Sequence, residues 1–200
     1  MRVTLEEYRA LFTAVGFVLM LTAASPMLSL MVPFSANQER FSEVWVLGPN
    51  GMAAEYPFNM TVGEAQQVYV GGGNHEGHAA HYVVYVKLRN PMQAAPDSTA
   101  AAPSPVAPLY AFRMAVAEGD FWEVPVAFSI VEAVRVGDSF TVRRIAINEA
   151  VFAVDYFTMW DSANAGFFYQ LFFELWMYDD AGSRVRYQNR FVGVWLNMTG

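Results

Sequence analysis

The sequence predicts a mainly β protein, an immunoglobulin-like β-sandwich preceded by one N-terminal transmembrane helix. Three observations predict it. Residues 10–37 carry no charge, whereas nearly all the acids and bases follow them. Beyond residue 40, short β-branched and aromatic runs alternate with clusters of Gly, Pro, Asn and Asp. There is no Cys, and 54% of the 200 residues are hydrophobic, so a core and not a disulfide framework must hold the fold.

Residues 1–10 read as a cytoplasmic N-terminus and residues 11–33 as the span. The 23 uncharged residues of that stretch exceed the roughly 20 needed to cross a hydrocarbon core. The stretch is apolar all round, where a water-soluble helix would show a polar stripe. Pro26 marks a kink or boundary, which Ser25 or Ser29 can relieve by bonding the freed carbonyl. The competing reading is a cleaved signal peptide, with residues 12–21 as its apolar core and Thr22-Ala23-Ala24 as its cleavage site. Against it, the apolar run continues through Leu28, Leu30, Met31 and Val32. Arg2, Arg9 and the free amine precede the span, which places the N-terminus inside and residues 41–200 outside, joined by a linker over 34–40.

The net charge of −7 lies beyond residue 33, because Arg2 and Arg9 cancel Glu6 and Glu7. Such an acidic domain repels phosphate backbones, which excludes nucleic acid as a partner class. Of the twelve basic residues eleven are Arg, and Lys87 is the sole Lys.

The strands follow in order. Residues 41–47 alternate and stop at the turn cluster Gly48-Pro49-Asn50-Gly51. Residues 67–70 form a short strand ending at Gly71-Gly72-Gly73, and residues 80–88 form a long one. Residues 91–108 hold five prolines among Ala, Ser and Thr, which reads as a solvated, extended loop. Strands resume over 109–116, ended by Ala117-Glu118-Gly119-Asp120, and over 121–130. Residues 139–147 and 150–156 form a hairpin across Asn148-Glu149. A helix over 148–160 capped by Asn148 is the alternative, and the β-branched and aromatic content argues against it. Residues 167–178 (FFYQLFFELWMY) are the strongest strand and belong at the centre of a sheet. Residues 185–190 and 191–198 complete a set of seven to nine strands whose spacing suits a sandwich.

Several blocks carry a resemblance. Leu47-Gly-Pro-Asn-Gly with Tyr56-Pro57, Asn59-Met-Thr-Val-Gly-Glu64, Val70-Gly-Gly-Gly-Asn-His-Glu-Gly77 and Tyr82-Val-Val-Tyr-Val-Lys87 resemble the archaeal membrane-protein domain of unknown function 1616. Tyr169-Gln-Leu-Phe-Phe-Glu-Leu-Trp-Met-Tyr178 and Val192-Gly-Val-Trp-Leu-Asn197 are similar to that family's closing strands. The resemblance covers residues 38–200 and implies an extracytoplasmic β domain tethered to a membrane. It implies no activity. It also implies several N-terminal spans, where this sequence shows one.

Candidate sites are few. His75, His78 and His81 are the three histidines, and imidazoles with a nearby carboxylate suit zinc or copper. Gly71–Gly73 and Gly77 oppose a helix that would gather them, and in a strand His78 and His81 point to opposite faces. The structural alternative is a Gly-rich loop with Asn74 and His75 bonding the backbone. Asn59-Met60-Thr61 and Asn197-Met198-Thr199 are glycosylation acceptor patterns, with Asn59 the better placed. Asp179-Asp180 are paired carboxylates in a turn, where Asp is favoured for backbone reasons. No phosphate loop follows the glycines and no Gly-x-Ser-x-Gly elbow occurs, so no catalytic residue is assigned. Trp45, Trp122, Trp160, Trp176 and Trp195 read as core or interface residues.

These readings converge on a non-catalytic, membrane-anchored protein that acts through protein–protein contacts, as an accessory subunit of a membrane complex or a cell-envelope component, with self-association as one mode. An extracytoplasmic metal-binding module using the histidines is the first alternative, and a pilin-like filament subunit is the second.

Overall fold

The computed structural model describes residues 8–9, 12–22, 39–179 and 184–199. The chain divides into two units, 1–39 and 40–200. In the first, residues 12–22 are helical, and Phe12, Phe17, Leu19 and Met20 are exposed. Thr22 turns its hydroxyl back onto the helix, donating to Val18 O at 3.0 Å. Among the described residues no helix is long and apolar enough to cross a membrane. The rest of the expected span, residues 11 and 23–33, lies outside the described residues.

The second unit is mainly β. Its strands are β1 (Phe41–Ser42), β2 (Trp45–Leu47), β3 (Asn59–Met60), β4 (Ala65–His75), β5 (Ala80–Arg89), β6 (Tyr110–Val116), β7 (Phe121–Val136), β8 (Ser139–Ile147), β9 (Ala150–Met159), β10 (Phe167–Tyr178) and β11 (Val185–Met198). They form two sheets, one ordered β1-β4-β7-β8-β9 with β2 also on β4, the other ordered β3-β11-β10-β5-β6. Strand alternation sends one face of each sheet into a shared core. From β5 it takes Tyr82, Val84, Val86 and Leu88; from β10, Phe167, Tyr169, Leu171, Phe173 and Leu175; from the facing sheet, Val68, Val126, Phe128, Phe140 and Ile145. Tyr169 also ties the sheets together, donating its hydroxyl to Phe140 O at 2.7 Å and to Tyr156 O at 2.9 Å. Burial pushes the phenol's pKa up, so the group stays a donor.

The hairpin at Asn148-Glu149 forms as expected, and both residues take positive φ, 44° and 70°. That pairing of left-handed residues is the two-residue turn whose twist matches a β-ribbon. Asn148 is fixed by Ala127, whose N–H it accepts at 2.9 Å. Glu149 has no such compensation, and L-residues other than Asn and Gly are strained there. Glu149→Gly is therefore expected to stabilise the domain by about 0.5–1 kcal/mol, read as a rise in Tm with the strands unchanged by circular dichroism.

Several expectations need correction. The strand expected over 67–70 is β4, eleven residues long, and it runs through the three glycines. Aromatic rings lie flat on that backbone. A Cβ at Gly71 would meet Trp45 at 2.4 Å, and one at Gly72 would meet Trp122 at 2.8 Å. The glycines make room for tryptophans on both faces and do not end the strand. The run 41–47 breaks into β1 and β2, and 185–198 is one strand bent at a bulge, where Asn189 takes φ 53°. The five tryptophans do not fill the core. Trp160 and Trp195 are exposed and the other three are half-buried, the core being made of Phe, Tyr and aliphatic side chains.

Residues 91–108 form a largely exposed loop that is also tied down, because it covers part of the outer face of the second sheet. Ser104 is buried there; its carbonyl accepts from Lys87 Nζ at 2.8 Å and its N–H donates to Glu174 Oε1 at 2.7 Å. Lys87 and Glu174 form an ion pair at 2.8 Å, with side chains 4% and 0% exposed. Asn189 Nδ2 fastens the same segment by donating to Ser98 O at 2.8 Å. Sequence composition described the segment's solubility, and the buried charges beneath it decide where it sits.

Candidate recognition groove

The same outer face continues past the covering segment into an open groove. Register places Arg89, Gln170 and Trp195 in one row across β5, β10 and β11. Arg89 Nε donates to Gln170 Oε1 at 2.7 Å and its guanidinium also donates to Gln93 O at 2.9 Å. Burial holds the Arg89 pKa below its usual value. The guanidinium lies 5.1 Å from the Trp195 ring centroid, a cation–π contact that fixes the indole. Trp195 itself is 40% exposed.

Two hollows open on either side of Trp195 and Phe58, which line both. The larger, about 420 Å³, adds Pro91, Asp161, Asn164 and Phe168. The smaller, about 330 Å³, adds Tyr56, Pro57, Gly193 and Val194. Both fall in the range of roughly 300–1,000 Å³ typical of small-ligand clefts. Gly193 lies close against β10, since a Cβ there would sit 2.7 Å from Phe172 Cβ. Phe58 and Phe168 meet with ring centroids 6.1 Å apart.

The polar rim comes from a tight loop between β9 and β10. Asp161 pairs with Gly166 in a backbone bridge, and its Oδ1 accepts from Ala163 N at 2.9 Å and Asn164 N at 3.2 Å. Asn164 Nδ2 donates to Asp161 Oδ2 at 2.7 Å. That side-chain bond, followed by the backbone donors, holds the carboxyl below the usual range. Asp161 is thus a fixed anion.

The histidines are elsewhere, at the opposite pole, and do not converge. His75 stacks on Phe41 with centroids 4.7 Å apart and has Nε2 3.9 Å from Glu43. His78 Nδ1 lies 3.1 Å from Glu76 O, and His81 is an exposed β5 residue opposite Ala115. Among the described residues no group of three or more His, Cys, Asp or Glu could hold a metal ion. The work of this block falls to Asn74, which is fully buried. Its Nδ2 donates to His78 O and Val116 O at 2.8 and 2.9 Å, and its Oδ1 accepts from Tyr82 and Glu76 N, both at 3.1 Å.

The two glycosylation patterns meet each other. β3 runs parallel to β11 with Asn59 opposite Asn197, and Asn197 Nδ2 donates to Asn59 Oδ1 at 3.2 Å. Asn197 is buried, and its Oδ1 accepts from Phe167 N. Its amide is therefore closed to modification in the folded domain. Asn59 is exposed.

Residues 35–136 match the family described as a domain of unknown function, DUF1616. The chain belongs to the DUF1616 family. The matched stretch contains the Gly-rich strand, Asn74 and Lys87, and it stops before β10 and β11. No curated protein sequence matches the chain. Among solved structures, the CARDB domain of the PF1109 protein from Pyrococcus furiosus, in complex with di-metal ions, is similar at 8% identity and a TM-score of 0.42, over 82% of this chain and 97% of that one. A beta-glucosidase from Listeria innocua is similar at 12% identity and a TM-score of 0.42, over 82% of this chain and 17% of the enzyme. Trp195 was legible only as a core or interface residue; Phe58 and Phe168 gave no separate signal, because their exposure depends on where 56–58 leaves the sheet.

Proposed function

We propose that this DUF1616 protein is a non-catalytic, membrane-anchored extracytoplasmic module that works through protein–protein contacts, as an accessory subunit of a membrane complex or a cell-envelope component. The observation that carries the reading is an apolar patch on the solvent face of the first sheet. Register sets Val134 and Val136 on β7 level with Phe157 and Met159 on β9, across Thr141 and Ser139. All four are exposed, Val136 by 71% and Met159 by 55%. Exposed apolar side chains gathered on one sheet face in this way mark contact surfaces. The edge strands β6 and β9 each have a ladder partner on one side only among the described residues, which adds two places for association.

The anchor is supported by the uncharged stretch 10–37 and by the exposed apolar helix within it, whose threonine hydroxyl is satisfied by the helix's own carbonyl as a bilayer demands. We assign the domain to the immunoglobulin-like class on its strand path. The chain changes sheets between β2 and β3, β3 and β4, β4 and β5, β6 and β7, and β9 and β10, while β4 pairs β7 and β5 pairs β10. Asn59 is the glycosylation candidate that fits an outward-facing domain.

The test is affinity capture of the full chain from native membranes in mild detergent, read by mass spectrometry. A stoichiometric partner is expected, with recovery falling about tenfold or more when Phe157 and Met159 are replaced together by Ser. A protein that stays monomeric and recovers no partner overturns the reading.

A further inference from the structure

We propose that the groove around Trp195 binds an uncharged saccharide chain. The inference goes beyond the protein-contact reading and uses a different face of the domain, though it shares the premise that the domain faces outward. Four rings, Tyr56, Phe58, Phe168 and Trp195, line the two hollows. Sugar rings present C–H faces that pack on aromatic faces, while their hydroxyls need hydrogen-bond partners at the edge of the contact.

The rim supplies such partners, and it selects for donors. Asp161 and Asn164 lie beside the rings, and one amide hydrogen of Asn164 is directed to Asp161 Oδ2. What remains for a ligand is chiefly acceptor oxygen with one amide N–H, which suits hydroxyl groups because they both donate and accept. Among the described residues that line the hollows there is no cation to take a phosphate or carboxylate. Arg89 is buried beside Trp195 and already bonds Gln170 and Gln93. An anionic ligand would instead meet the carboxylate of Asp161, which its own hydrogen bonds keep ionised. Proline-rich peptides also favour aromatic-lined grooves. They lack the N–H and O–H groups that Asp161 and Asn164 call for, and so fit this rim less well.

Position agrees with the chemistry. The domain begins at β1, which pairs with the His75 end of β4. Tyr82, bonded to Asn74 at that pole, pairs with Met177 on β10, whereas Arg89 at the groove pairs with Gln170. Seven residues of strand therefore separate the two levels, or on the order of 25 Å at about 3.3 Å per residue. Within the domain, the groove lies at the pole opposite β1.

The test uses the full chain in lipid nanodiscs, free of glycoside detergent, titrated calorimetrically with cellohexaose, maltohexaose, mannohexaose and chitohexaose, and with a proline-rich decapeptide as comparison. Saturable binding of at least one hexasaccharide is expected. It should weaken about tenfold or more in Trp195→Ala and in Phe58→Ala, as for a central aromatic anchor, and severalfold in Asp161→Ala. Met159→Ser, on the other sheet, should leave it unchanged. Circular dichroism and Tm of each variant keep a folding defect apart from a lost contact. No binding by any hexasaccharide, binding unaffected by both aromatic variants, or Trp195-dependent binding of the peptide alone overturns the proposal. None of these outcomes touches partner capture from native membranes, so the two readings fail separately.

Discussion

Replacing Lys87 by Met is expected to destabilise the domain by about 3–5 kcal/mol, the cost of leaving a buried charge without its partner. Glu174 is fully buried, and without the ammonium it keeps only Ser104 N–H and the Trp176 indole, which donates to Oε2 at 3.1 Å. Ser104 O would lose its donor as well. The loss should therefore be seen twice, as a lower midpoint in urea and as faster proteolysis within residues 91–108. Glu174→Leu alone should be similarly harmful, because it strands the ammonium. The double change Lys87→Met with Glu174→Leu should recover most of the stability, since apolar replacement of a whole buried pair is often neutral or better. Single variants that unfold like the parent would show that the ion pair does not hold the covering segment.

Asn74→Ala is the second large effect, expected at about 3 kcal/mol or more from several buried groups losing partners at once, at about 1–3 kcal/mol for each group left unsatisfied. His78 O and Val116 O lose their donor, and Glu76 N and the Tyr82 hydroxyl lose their acceptor. Tyr82 keeps a contact to Ser42 at 2.9 Å, which limits the damage on that side. Asn74→Asp separates geometry from chemistry. It preserves shape and the acceptor but loses both donated bonds, and it buries a charge beside Glu76. It should be at least as destabilising as Asn74→Ala in thermal unfolding of the full chain. If Asn74→Asp were tolerated, Asn74 would act through its shape and not through its hydrogen bonds.

The strand pattern was legible because β5, β6, β8 and β10 are bounded by residues whose backbone preferences are strong, and because the central strand reads as a continuous apolar run. Much of both faces of β10 is buried, one in the core and the middle of the other around Glu174 beneath Ser104, which is why its sequence does not alternate. What the sequence concealed was long-range. Gly71-Gly72-Gly73 look like a strand end until Trp45 and Trp122 are placed on them, and those rings come from 26 and 50 residues away, by the numbers of Trp45, Gly71, Gly72 and Trp122. The composition of 91–108 gives its exposure, and the partners that tie it down, Lys87, Glu174 and Asn189, are distant in sequence. Likewise the groove needs the departure of residues 56–58 from the sheet edge, where β3 is just two residues long. The histidines were conspicuous by type and not by geometry. Their prominence came from being the three histidines of the chain, whereas the residue that organises their loop is Asn74.

The central position of β10 also sets a schedule for folding. Its partner β5 lies more than 80 residues earlier, as in the pairing of Arg89 with Gln170, and chain growth delivers β10 and β11 last. Until then β5 has only β6 beside it, and the apolar faces of both wait uncovered. Such distant pairings close slowly, on the millisecond to second scale for comparable sandwiches. The segment at 91–108, made between β5 and β6, can take its final place only after Glu174 has arrived. The second sheet is thus assembled from its late strands, and a chain stalled before residue 167 would present the edge of β5 to any neighbour able to pair with it.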